Sequence, residues 1–224
     1  MIILVVAAHP DDEVLGCGGT IARASEEHEI RVLVLGEGMT SRMDREQADS
    51  RVLERLRADA TEAARLLGAR AIEFEALPDN RFDQVPLLDI VKIVERQIER
   101  LKPDVCYTHH SGDLNIDHGL TFRAVMTATR PGADHHVREV LSFEVPSSTE
   151  WAFHCVEPSF RPNVFVDVSG TIEKKIAAMS CYSTEIRPLP HPRSPEALRA
   201  TAARWGSVIG VDCAEAFELI RCLR

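Results

Sequence analysis

The 224-residue chain has no surplus of positive charge: 26 Lys and Arg against 35 Asp and Glu leave a net charge of −9. Nonspecific binding to nucleic acid or to an anionic membrane needs basic patches, so neither partner is expected, although a local basic pocket is compatible with this charge. No apolar run approaches the ~20 residues of a membrane-spanning helix, and no membrane span is expected. Met1 leads straight into an apolar segment with no basic stretch before it, so no signal peptide is expected. The six cysteines (Cys17, Cys106, Cys155, Cys181, Cys213, Cys222) form no C-x-x-C pair. They read as reduced thiols, mostly buried packing residues, of a cytoplasmic protein. There is no repeat and no low-complexity segment. With 45% hydrophobic and 27% charged residues, the chain suits one sizeable α/β domain over residues 1–224. Residues 1–130 are expected to form its core, and 131–224 the C-terminal strands, helices and pocket-lining loops.

The stretch from Val5 to Thr20 organises the rest. An apolar run begins at Ile2 and stops at His9, and Asp11, Asp12 and Glu13 follow Pro10 directly. After them the pattern is small and apolar, as in a helix packed closely on a sheet, with Gly18 and Gly19 permitting the approach. This reads as strand, acidic loop, helix. In an open α/β sheet, ligands bind in the crevice beyond the carboxyl ends of the strands. A solvated acidic turn is the plain alternative. The buried strand before it, a histidine suited to borderline metals and the stiffening Pro10 favour a metal or catalytic site.

The remaining pattern alternates strand and helix. Ile30 to Leu35 is β-branched and continuous, as in a parallel strand, and Gly36-Glu37-Gly38 ends it. Arg45 to Leu67 carries an apolar stripe at three- and four-residue steps, stopped by Gly68. Ala71 to Glu75 is a third strand, and Leu87 to Leu101 a helix closed by Pro103. Val105 to Thr108 is a fourth strand running into a polar loop, His109 to His118, with a helix from about Leu120 to Thr129. Beyond Pro131, strands are expected over 137–145 and 163–168 and a helix over 171–181, with 151–161 irregular. Arg187 to Arg193 is too proline-rich for a helix or a central strand. Ser194-Pro195-Glu196 is a sound helix start, the helix reaching about Trp205. The alternation implies a Rossmann-like, doubly wound, mostly parallel sheet flanked by helices.

If that fold holds, the loops after the first and fourth strands meet. They then bring His9, Asp12 and His118 together, two imidazoles and a carboxylate that leave one position of a tetrahedral zinc open to water. Two adjacent carboxylates repel unless a cation or proton separates them. With Asp12 on the metal, Asp11 faces the water whose pKa the metal lowers to roughly 7 and takes its proton. Either Asp117 or Asp113 is placed to orient a histidine by a hydrogen bond. The chemistry implied is metal-assisted hydrolysis of an amide or ester.

Ala8-His9-Pro10-Asp11-Asp12-Glu13, with Asp117-His118 after the fourth strand, resembles the PIG-L/LmbE family of metal-dependent N-deacetylases. The likeness covers roughly residues 1–130, and Arg187 to His191 is similar to a C-terminal segment of bacterial members. It implies zinc on His9, Asp12 and His118, with Fe²⁺ or Co²⁺ compatible with the same ligands. It further implies Asp11 as general base, an N-acetylglucosamine-type substrate releasing acetate, and a homo-oligomer, trimeric or hexameric. Arg81, in the loop after the third strand, matches a position that holds the sugar conjugate; pairing with Asp79 or Asp83 is its plain alternative. Many members read His-Pro-Asp-His where this chain reads Asn115-Ile116-Asp117-His118, and the first histidine there protonates the leaving amine. Asn115 cannot do so, which leaves His110, then His109 and His191, as candidates, with Asn115 instead a donor to substrate or oxyanion. Arg187, Trp151 and Glu144 are candidates for the pocket mouth. Glu13 reads as a helix-starting acid favoured by the dipole.

Three competing readings use parts of the same pattern. A receiver module needs a phosphoacceptor Asp ending the third strand and a late lysine, and neither fits. A dinucleotide fold needs its glycines in the turn itself, whereas Gly16, Gly18 and Gly19 follow three acids that would repel phosphate. A deformylase or another N-acyl amide hydrolase would use the same metal site and stands as the alternative.

Overall fold

The first strand, β1 (Ile2–Ala7), feeds two cores at once. Ile3, Val5 and Ala7 point to one, Leu4, Val6 and Ala8 to the other, all nearly inaccessible. That explains the unbroken apolar run: a strand covered on both faces has no position for a polar residue. The computed structural model describes residues 1–38, 50–132 and 137–224.

β1 is followed by α1 (Asp12–Ala24), β2 (Glu29–Gly36), α2 (Ser50–Leu66), β3 (Ala71–Leu77), α3 (Leu87–Leu101), β4 (Val105–His109) and α4 (Ile116–Ala128). Then come β5 (Glu139–Phe143), β6 (Val164–Asp167), α5 (Ile172–Cys181), α6 (Pro195–Ile209) and β7 (Ala214–Cys222). They build one seven-stranded sheet in the order β3-β2-β1-β4-β5-β7-β6. β1 to β5 are parallel, while β7 runs antiparallel to both β5 and β6. The chain order reverses between β1 and β4, which lie side by side. This is the switch point at which an open α/β sheet opens a crevice.

The expected Rossmann-like fold is therefore present, with differences in detail. α2 is described from Ser50, so the expected start at Arg45 lies outside the described residues. α4 begins at Ile116, four residues earlier than expected, because Asn115 caps it and accepts from the Asp117 N–H. His118 thus stands in the first turn of a helix rather than in a loop. β7 was not anticipated: its buried residues are Ala214, Glu215, Ala216 and Phe217, and a buried glutamate masks the apolar pattern. Ser194 caps α6 as expected, accepting from the Ala197 N–H, and the helix runs on to Ile209. All six thiols are free, but only Cys17 and Cys106 are buried, so the expectation of mostly buried cysteines fails for the other four.

α1 is pinned tightly. A Cβ on Gly16 would stand 2.3 Å from the Phe143 ring. At Cys17 the helix breaks (φ −146°, ψ 23°), releasing backbone groups that must find other partners. Glu215 of β7 accepts from the Gly19 and Thr20 N–H groups, and Lys175 of α5 donates to the Leu15 carbonyl and to Glu215. The C-terminal elements thus close the break in the N-terminal helix. Among the described residues no helix is long and apolar enough to cross a membrane.

Candidate active site

Asp11 lies between β1 and α1 with φ 103°, a left-handed backbone that a non-glycine residue adopts at a cost. Its N–H donates to Glu13 Oε2, and its carbonyl accepts from the Val14 and Leu15 N–H groups. Glu13 is fully buried and accepts from the Tyr182 hydroxyl. Burial pushes Glu13 up to about 7, partly offset by that hydroxyl. So Glu13, expected merely to start the helix, fastens the loop that carries Asp11.

The same turn presents His9 and Asp12. His9 Nδ1 lies 3.5 Å from Asp12 Oδ2, and His118 Nε2 lies 3.4 Å from the same oxygen. These three residues offer ligand atoms within 4.8 Å of one another, all buried. The far side of each ring faces a carboxylate. His9 Nε2 is 3.0 Å from Asp117 Oδ2 and 3.2 Å from Asp79 Oδ1, while His118 Nδ1 is 3.2 Å from Asp113 Oδ1. Asp117 is itself oriented by the Phe82 N–H, and Asp113 by Ser148, Thr149 and the Asn115 N–H. Carboxylates behind the rings turn His9 Nδ1 and His118 Nε2 inward. His118 Nε2 is buried without a hydrogen-bond partner, as a ligand atom awaiting a cation would be. The two expected orienting acids, Asp113 and Asp117, each serve one histidine.

Electrostatics agree with this fit. Burial disfavours a charged His9, yet Asp117, Asp12 and Asp79 outweigh it and push the ring up to about 10. The balance at His118 is the same, against Asp12 and Asp113, and gives about 9. Burial would raise Asp12, but His118 and His9 hold it well below the carboxylate range. Four acids around two rings create a strongly negative recess that attracts positive charge.

A hollow of about 110 Å³ opens above it, lined by His9, Asp11, Asp12, His118, Asp79, Asn80, Asn115, Ser147, Glu185 and Arg193 among others. Asp11, Asn80 and Ser147 all have positive φ, so backbone strain gathers around this hollow. Burial pushes the Asp11 carboxyl well above its usual range, and Arg193 opposes that shift. Arg193 Nη1 donates to Asp11 Oδ2 (2.6 Å) and Glu185 Oε2 (2.9 Å), and Nε donates to Ser147 Oγ. Sequence reasoning missed Arg193, Glu185 and Ser147. The signal available for Arg193 was its place between prolines and a helix cap, which fixes a loop without showing where it reaches.

Other expected residues lie farther out. Asn115 lines the hollow, but its Oδ1 is spent on the helix cap and its Nδ2 on Asn80 Oδ1. Arg81 is exposed and stands outside the lining. Arg187 and His191, with Trp151, line an adjoining hollow of about 190 Å³ that shares Ser147, Glu185 and Arg193 with the first. Glu144 lines a different hollow and accepts from the Trp205 indole. His110, the first candidate for the leaving-group acid, is set apart: its ring nitrogens bond Glu218 (2.8 Å) and the Pro158 carbonyl (2.7 Å). Its neighbour His109 accepts from the Ala8 N–H and stacks on His118, ring centroids 3.9 Å apart. Burial and His118 push His109 well below its usual range, so it is a neutral wall.

The family model for PIG-L, GlcNAc-PI de-N-acetylase, matches residues 4–129, more than half of the chain. This protein belongs to the PIG-L family. That stretch holds every residue of the His9, Asp12, His118 cluster and its supporting aspartates. Among relatives, an uncharacterised deacetylase, YaiS of Escherichia coli, is 29% identical over 192 residues, covering 81% of this chain and 90% of its own. A 4-oxalmesaconate hydratase of Pseudomonas putida is 30% identical over 200 residues, covering 80% and 72%. The structure of N,N′-diacetylchitobiose deacetylase from Pyrococcus horikoshii superposes with a TM-score of 0.78 over 98% of this chain and 83% of that one, at 21% identity. The fold is thus that of PIG-L/LmbE deacetylases, and the homologues support a hydrolase of the deacetylase kind.

Proposed function

We propose that this PIG-L protein removes the N-acetyl group from an N-acetylglucosamine-type amino sugar or its conjugate, releasing acetate, with zinc at His9, Asp12 and His118. The observation that carries the reading is the inward convergence of His9 Nδ1, Asp12 Oδ2 and the unpartnered His118 Nε2 beneath a hollow that Asp11 overlooks. His9, Asp12 and His118 would hold a divalent metal, which would supply a Lewis acid to acidify water and polarise the acyl carbonyl. Asp11 accepts the proton of the attacking water. With Asn115 engaged as a helix cap and His110 outside the lining, Asp11 is also the group placed to return that proton to the departing amine. Asp117 and Asp113 hold the two rings in register. Asp79, Asn80 and Ser148 line the hollow and suit sugar hydroxyls, which donate to such oxygens.

The 30% identity to a hydratase supports a second reading, addition of water to a carbon–carbon double bond. The lining argues against it. Its one guanidinium, Arg193, is already paired with Asp11 and Glu185, which leaves no guanidinium in the lining to clamp the carboxylates of a polycarboxylate such as an oxalmesaconate.

The test is metal content of the purified protein together with acetate release from N-acetylglucosamine and N,N′-diacetylchitobiose before and after chelation. About one metal per chain and chelator-sensitive acetate are expected. Asp11→Asn is expected to keep the metal and lose on the order of 10²–10⁴-fold in turnover. Wild-type turnover in that variant would remove Asp11 from the mechanism. Metal-loaded protein that hydrates an oxalmesaconate and releases no acetate would overturn the deacetylase reading.

A further inference from the structure

The side chain of the residue proposed as base is not held by the segment that the family model covers. Its partner Arg193, and Ser147 and Glu185 that fix Arg193, lie beyond the matched stretch of 4–129. Tyr182, just past α5, donates to Glu13, which in turn holds the Asp11 N–H. Arg193, just before α6, donates to Asp11 Oδ2. Glu185 fixes the same guanidinium nitrogen, and Ser147 fixes Nε. Arg193 therefore meets Asp11 with its plane already set on two other sides, and its side chain is only 18% exposed.

We propose that Arg193 is the positioning residue of the base: it ties down Asp11 Oδ2 so that Oδ1 faces the attacking water. This rests on the functional reading above. Three physical points support it. Asp11 stands beside Asp12, Glu13 and Glu185, whose charges would drive an unanchored carboxylate off its rotamer. The Asp11 backbone is already strained at φ 103°, so its side-chain direction needs an external hold. A guanidinium can donate along two edges at once, to Ser147 from Nε and to both carboxylates from Nη1, whereas an ammonium cannot reproduce that fixed plane. Misplacing a base by about 1 Å is enough to cost on the order of 10²-fold in rate.

The test uses the zinc-loaded full chain with Arg193→Gln, Arg193→Lys, Asp11→Asn and the Arg193→Gln/Asp11→Asn double variant, assayed on N-acetylglucosamine. Arg193→Gln is expected to lower kcat roughly 30- to 100-fold with KM changed less than about 3-fold. Lysine is expected to recover about a third to a half of that loss on a logarithmic scale. In the Asp11→Asn background, the same Arg193 change is expected to cost less than about 3-fold, since the group it positions is gone. Zinc affinity by competition with a chromophoric chelator should not move. A crystal structure of Arg193→Gln gives a reading independent of turnover: the Asp11 carboxylate leaves its present rotamer. Equal losses in both backgrounds, or a rise in KM at constant kcat, would make Arg193 a substrate contact and overturn the proposal. An unmoved Asp11 in that crystal structure would overturn it as well. If the wild-type protein releases no acetate, the functional reading alone falls, and the crystal structure still decides the role of Arg193.

Discussion

Two buried charged clusters lie along α1, one at its first turn and one at its break, and they differ in one respect. In the first, Lys175 and Glu215 pair at 2.6 Å, and their remaining contacts go to the Leu15 carbonyl and the Gly19 and Thr20 N–H groups. In the second, His9, Asp12 and His118 are backed by Asp79, Asp113 and Asp117, and His118 Nε2 has no hydrogen-bond partner. The first cluster is closed. Its charges balance and it replaces helix hydrogen bonds lost at Cys17. The second is open: negative charge exceeds positive, and three ligand atoms converge on one another. Burial of charge therefore does not by itself mark a site. Ligand atoms that converge from separate loops around an unpartnered one do.

The comparison breaks first at His118. His118→Ala is expected to abolish stoichiometric metal binding, read by elemental analysis, and to take acetate release to background. A fully metallated, active variant would show that the open cluster is not the metal site. Next is Lys175→Met, which leaves Glu215 buried beside backbone donors without its cation. About 3–5 kcal/mol of stability should be lost in chemical denaturation while zinc affinity is retained. Loss of zinc affinity with stability unchanged would invert the two roles. Asp117→Asn should then weaken zinc about 10- to 100-fold through the loosened His9 ring, with the fold intact by circular dichroism. An unchanged affinity would make Asp117 a spectator.

The smallest effect concerns His110, a third buried charge of the closed kind. Burial opposes its charge, but Glu218 and the Pro158 carbonyl outweigh it and raise the ring above its ordinary value. Both ring nitrogens face acceptors, so the bonded state carries both protons. A raised histidine contributes stability fully below its unfolded pKa, near 6.5, and loses it as pH rises through the folded value. Hydrogen exchange at Arg161, whose N–H is held by Glu218, should therefore accelerate above that range once intrinsic rates are removed. Exchange independent of pH, or unaffected by His110→Gln, would show that this link carries no load.

Much of the site was legible because it is local. His9, Asp11 and Asp12 fall within four residues at the end of a recognisable strand, so their convergence needs little more than one turn. His118 required the fold as well, since only adjacency of β1 and β4 brings it in. The strands and helices from 2 to 129 were readable from period and breakers, because each buries its own apolar face. The start of α4 is not legible because Asn115 resembles a loop polar residue, and only its side chain, accepting from the Asp117 N–H, shows it to be the helix cap. The position of His110 is not legible for a different reason. Proximity in sequence to His118 says nothing about direction, and at the end of β4 the side chains alternate, sending His109 and His110 to different neighbours. β7, Glu215 and Lys175 stayed hidden because a charge is buried only if its partner is near, and the partners are 40 residues apart.

By itself, the sequence determined the parallel α/β core and singled out His9, Asp12 and His118, with Asp11 beside them, as a candidate metal site. Apolar period, strand ends and a dense motif are properties of short segments, and short segments act through their own backbone geometry. Only the tertiary structure decided what holds Asp11. That role went to Tyr182, Glu185 and Arg193, about 170 to 180 residues away, because hydrogen bonds between distant loops depend on where the sheet carries them and not on any spacing along the chain.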